Sequence, residues 1–227
     1  MKKKIVILSG AGISAESGIK TFRDSDGLWE NYRIEDVATP EAWRRNPTLV
    51  LDFYNQRRKA AIAAQPNAAH LACVALERDY DVIIVTQNVD NLHERAGATN
   101  VVHLHGELFK SRSTFNHKLV YDIEGWELNI GDKCEKGSQL RPHIVWFGEA
   151  VPMMDAAVQI VQQADILMVI GTSLQVYPAA SLVYEAPANA PKYIIDPNIP
   201  AVSGLKNMHA IAEKATIGME IALKELL

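Results

Sequence analysis

The sequence predicts an α/β protein, a doubly wound parallel sheet carrying a small insert module, and three observations point there. Four apolar, β-branched runs each end in small or polar residues, helical patterns lie between them, and two longer segments break the alternation. Near-continuous hydrophobicity fits strands covered on both faces, as in a parallel sheet. Ligands of such sheets collect at the carboxyl ends of the strands.

The first run, Ile5–Leu8, feeds the stretch from Gly10 to Arg23, Gly-Ala-Gly-Ile-Ser-Ala-Glu-Ser-Gly-Ile-Lys-Thr-Phe-Arg. A glycine-rich turn there lets backbone N–H groups approach a dinucleotide pyrophosphate, and a helix start adds favourable partial charge. Gly10 and Gly12 would permit the approach, and Ser14 and Ser17 can cap or donate. Alone, the turn points to a nucleotide and no further.

The second run, Val82–Val85, ends in Thr86-Gln87-Asn88-Val89-Asp90, two amides and a carboxylate where a nucleotide could lie. Asn88 or Asp90 could equally cap the helix through Asn91-Leu92-His93, but capping accounts for one residue of the cluster. In Val101-Val102-His103-Leu104-His105-Gly106, strict alternation puts His103 and His105 on one face of a strand. A histidine can take a proton from a hydroxyl at physiological pH. A lone histidine is more often a satisfied imidazole, yet Gly106 signals a close backbone approach beside this one. Pro142 to Glu149 reads as an extended stretch. Val145 to Gly148 either pairs with an incoming peptide or forms an ordinary internal strand, and spacing does not choose.

The last two runs are Ile166–Ile170, before Gly171-Thr172-Ser173, and Tyr193–Ile195, before Asp196-Pro197-Asn198. Helical patterns occupy Ala68–Arg78, Val89–Ala96, Asp155–Ala164 and Ala179–Tyr184. Residues 19–65, with a helix expected over Pro47–Ala64, and residues 109–141, with Gly125, Gly131 and Gly137, form the insert module. Residues 1–18, 66–108 and 142–227 form the sheet domain. On the Pro47–Ala64 helix, Tyr54 and Arg57 share a face and offer a phenol and a guanidinium fork that suits a carboxylate. The plainer reading makes Arg57 and Arg58 a solvated basic face.

The 227 residues are 48% hydrophobic and 22% charged, with a net charge of −4, which gives no general attraction to nucleic acid or anionic membrane. Two cysteines, Cys73 and Cys134, are too few for a disulfide framework. Met1 to Lys4 with its short apolar run reads as a first strand rather than a leader, and no run is long enough to span a bilayer. The expectation is a cytoplasmic protein without nucleic-acid or membrane partners.

Five segments, GAGISAESGIKTFR, TQNVDNLHERAG, HLHGEL, RPHIVWFGE and GTSLQVYPAASL, resemble in order the sirtuin family of NAD-dependent protein-lysine deacylases. The resemblance covers essentially the whole chain. It implies a Rossmann-like NAD domain whose first loop includes Gly10, Ala11, Gly12, Ser14, Ala15, Thr21, Phe22, Arg23 and Trp29. Phe22 would shield the reactive ribose carbon, and Arg23 would lie near the phosphates. Gln87, Asn88, Val89 and Asp90 would surround the nicotinamide and its ribose, with Asn88, Asp90 and His105 catalytic. Gly171, Thr172 and Ser173 would hold the adenosine side and Ala215 would line the adenine. Asp196 stands where the family commonly has an Asn-x-Glu feature, and could replace its acid.

The resemblance also implies that Val145, Phe147 and Gly148 clamp an acyl-lysine protein substrate. Its acyl oxygen would attack the ribose carbon as nicotinamide departs, and His105 would deprotonate a ribose hydroxyl. The products are free lysine and O-acyl-ADP-ribose. Tyr54 and Arg57 match the Tyr-x-x-Arg feature of the desuccinylase and demalonylase type, with weaker deacetylation. Two alternatives are ADP-ribose transfer to a protein and a non-catalytic NAD-binding sensor. Most of the family binds a structural zinc through two cysteine pairs. Here Ser113, Asn116 and Cys134 stand in that region, so no structural zinc is expected, and Leu119, Val120, Ile123, Trp126 and Leu128 are expected to pack the module.

Overall fold

The computed structural model describes residues 2–20 and 32–227. In chain order its elements are β1 (Lys4–Ser9), α1 (Gly12–Ala15), α2 (Ile34–Val37), α3 (Pro40–Arg45), α4 (Pro47–Ala63), α5 (Ala68–Leu76) and β2 (Asp81–Thr86). There follow α6 (Leu92–Ala96), β3 (Val101–His103), β4 (Gly106–Ser113), β5 (Val120–Asp122), β6 (Leu140–Ile144), α7 (Met154–Val161) and β7 (Ile166–Ile170). After a 3-10 segment (Ala179–Tyr184) come β8 (Lys192–Ile195), β9 (Met208–Ile211) and α8 (Ala215–Leu226).

Six strands form a parallel sheet in the order β3-β2-β1-β7-β8-β9. From β1 the chain passes through the helices α1 to α5 before pairing outward as β2 and β3, leaves again for β4 to β6, then returns to β7 on the other side of β1. The strand order therefore reverses between β1 and β7, which is where such sheets open a ligand crevice. Alternation along β1 sends Ile5 and Ile7 into the core under α5 and α8, and Val6 and Leu8 into the core under α7 and the 3-10 segment. Each fully buried aliphatic side chain contributes about 1.5–3 kcal/mol, so the central strands anchor the loops at their ends.

β5, β4 and β6 form a second, antiparallel sheet. A third apolar cluster, including Val37, Val50, Phe53, Tyr54, Leu108, Ile144 and Trp146, joins it to α4. α4 starts where expected: Asn46 accepts from the Leu49 N–H at 3.1 Å, and Pro47 takes the first helical position.

Several expectations need correcting. The Ala179–Tyr184 helix is 3-10, and β3 ends at His103, leaving His105 in the bend that follows. Of the apolar residues expected to pack the module, only Leu128 is buried, and Val120 is 37% exposed. Within residues 109–141 the buried side chains are instead largely polar: Ser111, Arg112, Ser113 and Arg141, with Cys134 among them. Arg58, read as a candidate surface cation, is fully buried.

Candidate functional site at the strand ends

The loops after β1, β2 and β7 converge. Gly10 and Gly12 donate their N–H groups to the carbonyls of Ile170 (3.0 Å) and Gly171 (2.8 Å). A Cβ on Gly10 would lie 2.6 Å from the Cβ of Thr172, and one on Gly12 would lie 2.6 Å from the Cα of Gly171. These glycines interlock the loops after β1 and β7, and a side chain at either position would meet the β7 loop. The helix expected after them is a single turn, α1.

Ser14 lies at the centre of the polar set. Asn88 Nδ2 donates to Gly10 O (3.1 Å) and to Ser14 Oγ (3.2 Å), and Ser14 Oγ donates to Asp90 Oδ2 (3.1 Å). Asp90 Oδ1 accepts from the Leu92 N–H at 3.1 Å, so Asp90 also supports the start of α6. Burial pushes the Asp90 carboxyl above its usual range, opposed by the Leu92 and Ser14 hydrogen bonds and by the nearby Arg57 charge. Beneath it, Ser9 Oγ donates to Thr86 Oγ1 (2.8 Å) and also meets His93 Nε2 (2.9 Å), while the Asn88 N–H donates to Thr86 Oγ1 (3.0 Å). Sequence reasoning missed Ser9, Thr86 and His93, because polar residues inside a strand or helix pattern carry no outward sign of a shared partner.

Gln87 Nε2 donates to Thr172 Oγ1 at 3.2 Å, tying the β2 loop to the β7 loop, and the Val89 carbonyl accepts from Leu108 at 2.7 Å. The half-buried His105 faces the Gln87 carbonyl through Nδ1 at 3.1 Å. A carbonyl only accepts, so Nδ1 carries the proton and Nε2 keeps its lone pair. Burial holds this imidazole below its ordinary range, so it is neutral at physiological pH. Gly106 follows with φ +83°, and a Cβ there would sit 2.0 Å from the His143 carbonyl oxygen, so only glycine fits the bend.

The stretch after β6 is braced from within. The N–H groups of Val145, Trp146 and Phe147 donate to His105 O (2.9 Å), Glu149 Oε2 (2.8 Å) and Ala38 O (3.0 Å). Glu149 also accepts from Arg141 Nη1 (2.7 Å) and Arg112 Nη2 (3.1 Å), and the Arg141 guanidinium lies 3.3 Å from the centre of the Trp146 ring. Phe147 and Gly148 are exposed. Tyr54 is fully buried, whereas Arg57 lines a pocket with Gly18, Ile19, Ala61, Asp90 and Leu108. Tyr54 and Arg57 thus share a helix face, but only Arg57 reaches the pocket that Asp90 lines.

Ala11 is half-buried and Ala15 exposed on α1, and Ser173 is half-buried after β7. Asp196 Oδ1 accepts from the Asn198 N–H at 2.8 Å, bending the β8 exit onto itself. Ala215, buried at the first turn of α8, belongs to the core on the α5 side of the sheet. Thr21, Phe22, Arg23 and Trp29 lie outside the described residues.

A crevice at the reversal of strand order, rimmed by hydroxyls, amides and a carboxylate, suits a dinucleotide. The buried Asn91 Oδ1, next to Asp90 in the chain, has no hydrogen-bond partner among the described residues. Fold and site together define a dinucleotide-binding α/β protein with a neutral histidine at the cleft. Residues 10–178 match the family model described as "Sir2 family", and the chain belongs to that family. It is 54% identical over 225 residues to an NAD-dependent protein deacylase of Helicobacter pylori, covering 99% of this chain and 98% of the relative. It is 50% identical over 230 residues to one of Bacteroides thetaiotaomicron, covering 99% and 98%. Among solved structures, a Sir2 homologue in complex with NAD superposes with a TM-score of 0.89 at 40% identity, over 99% of this chain and 90% of that one.

The small module does not fit a structural metal. Cys134 Sγ donates to Ser113 Oγ (3.3 Å), which already accepts from the N–H groups of Phe115 (3.1 Å) and Asn116 (3.3 Å). Among the described residues, no group of three or more His, Cys, Asp or Glu could hold an ion. One thiol and one occupied hydroxyl do not make a tetrahedral donor set.

Proposed function

We propose that the chain is an NAD-dependent protein-lysine deacylase with a preference for acidic acyl groups, succinyl and malonyl above acetyl. The observation that carries the reaction is the placement of His105: Nδ1 lies 3.1 Å from the Gln87 carbonyl oxygen, which only accepts, so in a ring that burial favours as neutral Nε2 keeps its lone pair. Such a ring is ready to take up a proton from a cofactor ribose hydroxyl. NAD, when bound, supplies a glycosidic bond whose cleavage activates the otherwise inert acyl-lysine amide. Ser14, Gln87, Asn88 and Asp90 orient it, and Thr172 and Ser173 take the adenosine side. Val145, Phe147 and Gly148 face the substrate. With the N–H groups of residues 145–147 engaged internally, the carbonyls of Val145 and Phe147 are the groups suited to an incoming backbone.

The acyl preference rests on Arg57, which lines a pocket with Lys20 and Asp90 and whose planar guanidinium suits a carboxylate-terminated chain. The module is proposed to fold without structural zinc, held by the Ser113–Cys134 bond and the Glu149 ion pairs. The test is incubation with NAD and acetyl-, succinyl- and malonyl-lysine peptides, following nicotinamide, free lysine and O-acyl-ADP-ribose by mass spectrometry. Turnover lost in His105→Ala supports the reaction, and intact turnover refutes it. Near-stoichiometric zinc by elemental analysis would refute the metal-free module.

A further inference from the structure

His103, two residues before His105, meets two groups. Its Nδ1 lies 2.8 Å from the Asn88 carbonyl oxygen and its Nε2 lies 2.7 Å from Glu94 Oε1. A carbonyl only accepts, and so does an ionised carboxylate. Both ring nitrogens must then donate, which requires the imidazolium. The contrast with His105, whose ring has one acceptor partner and burial around it, is direct.

We propose that His103 is a positioning residue working as a cationic strap, bonded at once to the Asn88 carbonyl and the Glu94 carboxylate so that the 87–90 loop stays fixed against α6. Loss of its proton turns one ring nitrogen into a lone pair facing an acceptor, and the loop that carries Asn88 and Asp90 loses its brace. The inference rests on the reading of that loop as the cofactor site.

The charges around the ring agree. Burial disfavours the imidazolium, but the Glu94 hydrogen bond and charge, the Asn88 carbonyl and the charge of Glu107 on β4 together raise the His103 pKa. Glu94 is held below its usual range by His103, although burial works the other way. The remaining titratable neighbours are His93 on α6, which burial keeps neutral, and Asp90 on the loop. The net field favours the proton.

The test is the pH dependence of kcat/KM for NAD in the full chain, with Glu94→Gln and His103→Gln beside the unmutated protein. Deprotonation of His103 produces an alkaline limb. Removing the Glu94 charge should move that limb about one pH unit toward acid, and His103→Gln should abolish it while raising KM for NAD about tenfold. A merely structural role would lower activity without moving the limb, so an unmoved limb in Glu94→Gln overturns the inference. If His103→Gln does not fold, ¹⁵N-histidine NMR of the unmutated protein at pH 7 decides. Two protonated ring nitrogens on His103 support the strap, and a neutral ring overturns it. Intact turnover in His105→Ala would overturn the site reading alone, because the NMR result does not depend on activity.

Discussion

The indole Nε1–H of Trp146 donates to the hydroxyl of Tyr54 at 3.1 Å, joining the stretch after β6 to the middle of α4. Burial pushes the Tyr54 phenol up to about 12, against the lowering influence of Arg57 and of the indole bond. The hydroxyl therefore keeps its proton at any physiological pH. Its oxygen already accepts, so that proton remains available to donate.

Arg57, one helical turn further along α4, carries the first prediction. Arg57→Met should lower kcat/KM on a succinyl-lysine peptide about tenfold or more, the cost of losing a charge-assisted pair, and leave the acetyl reaction nearly unchanged. Equal losses on both peptides, or comparable values on both in the unmutated enzyme, would show that Arg57 does not read the acyl carboxylate.

Glu149 should be a stability determinant of the small module. Its carboxylate gathers Arg112, Arg141 and the Trp146 N–H in a half-buried setting. Glu149→Gln leaves two guanidinium groups without a counter-charge and should destabilise by about 3 kcal/mol. Urea unfolding checks this: the midpoint should drop with the slope unchanged. A change below about 1 kcal/mol would mean that solvent screens the pairs.

Gly106→Ala should be worse than its size suggests. The new methyl would enter the His143 carbonyl at a backbone conformation that disfavours side chains. The strain and the clash should cost about 3 kcal/mol and displace His105, so kcat should collapse even in molecules that remain folded. Normal turnover from the purified variant would refute the close approach.

Acid should destabilise the fold through two buried rings. Burial lowers His70 to about 4 and His93 to about 3, and the rings pack edge to face with centroids 5.0 Å apart. Both are neutral when folded, while in the unfolded chain they titrate near 6.5. Below pH 6.5 the unfolded chain takes up protons that the folded chain refuses, so stability present above 6.5 is lost on acidification toward 4 and 3. The loss should reach a few kcal/mol at the low end. His103 acts oppositely: its raised pKa adds stability below 6.5 that disappears as pH rises through the raised value. Thermal unfolding between pH 7.5 and 5, above the carboxylate range, is the measurement. A pH profile left unaltered by His70→Gln would exclude the buried pair as a source of the acid sensitivity.

Much of the main sheet was legible because its strands are buried on both faces and written as unbroken apolar runs, as in Ile5–Leu8 and Ile166–Ile170. β9 was not, since Met208, His209 and Ala210 lie exposed at the sheet edge and carry no burial signal. Residues 109–141 misled for the opposite reason: their buried side chains include Arg112, Ser113 and Arg141, residues whose polarity reads as surface. At the site, the convergence of the Gly10, Asn88 and Gly171 loops follows from the strand ends. The interlocking of Gly12 with Gly171 does not, because sequence cannot distinguish a glycine that makes room for a ligand from one that makes room for backbone.

Arg58 sets a limit on how α4 can change. Its guanidinium donates to the carbonyls of Trp126 (2.8 Å) and Leu108 (3.1 Å) and to the side chain of Asn55, which also receives the Leu128 N–H. Sliding the helix along its axis would strand a buried cation, so Tyr54 and Arg57 are held at a fixed depth, like marks on a ruler. If that face receives the acyl chain as proposed, chains of different length would be accommodated by side-chain size along it, and a shift in chain-length tolerance would call for substitutions there and not for movement of the helix.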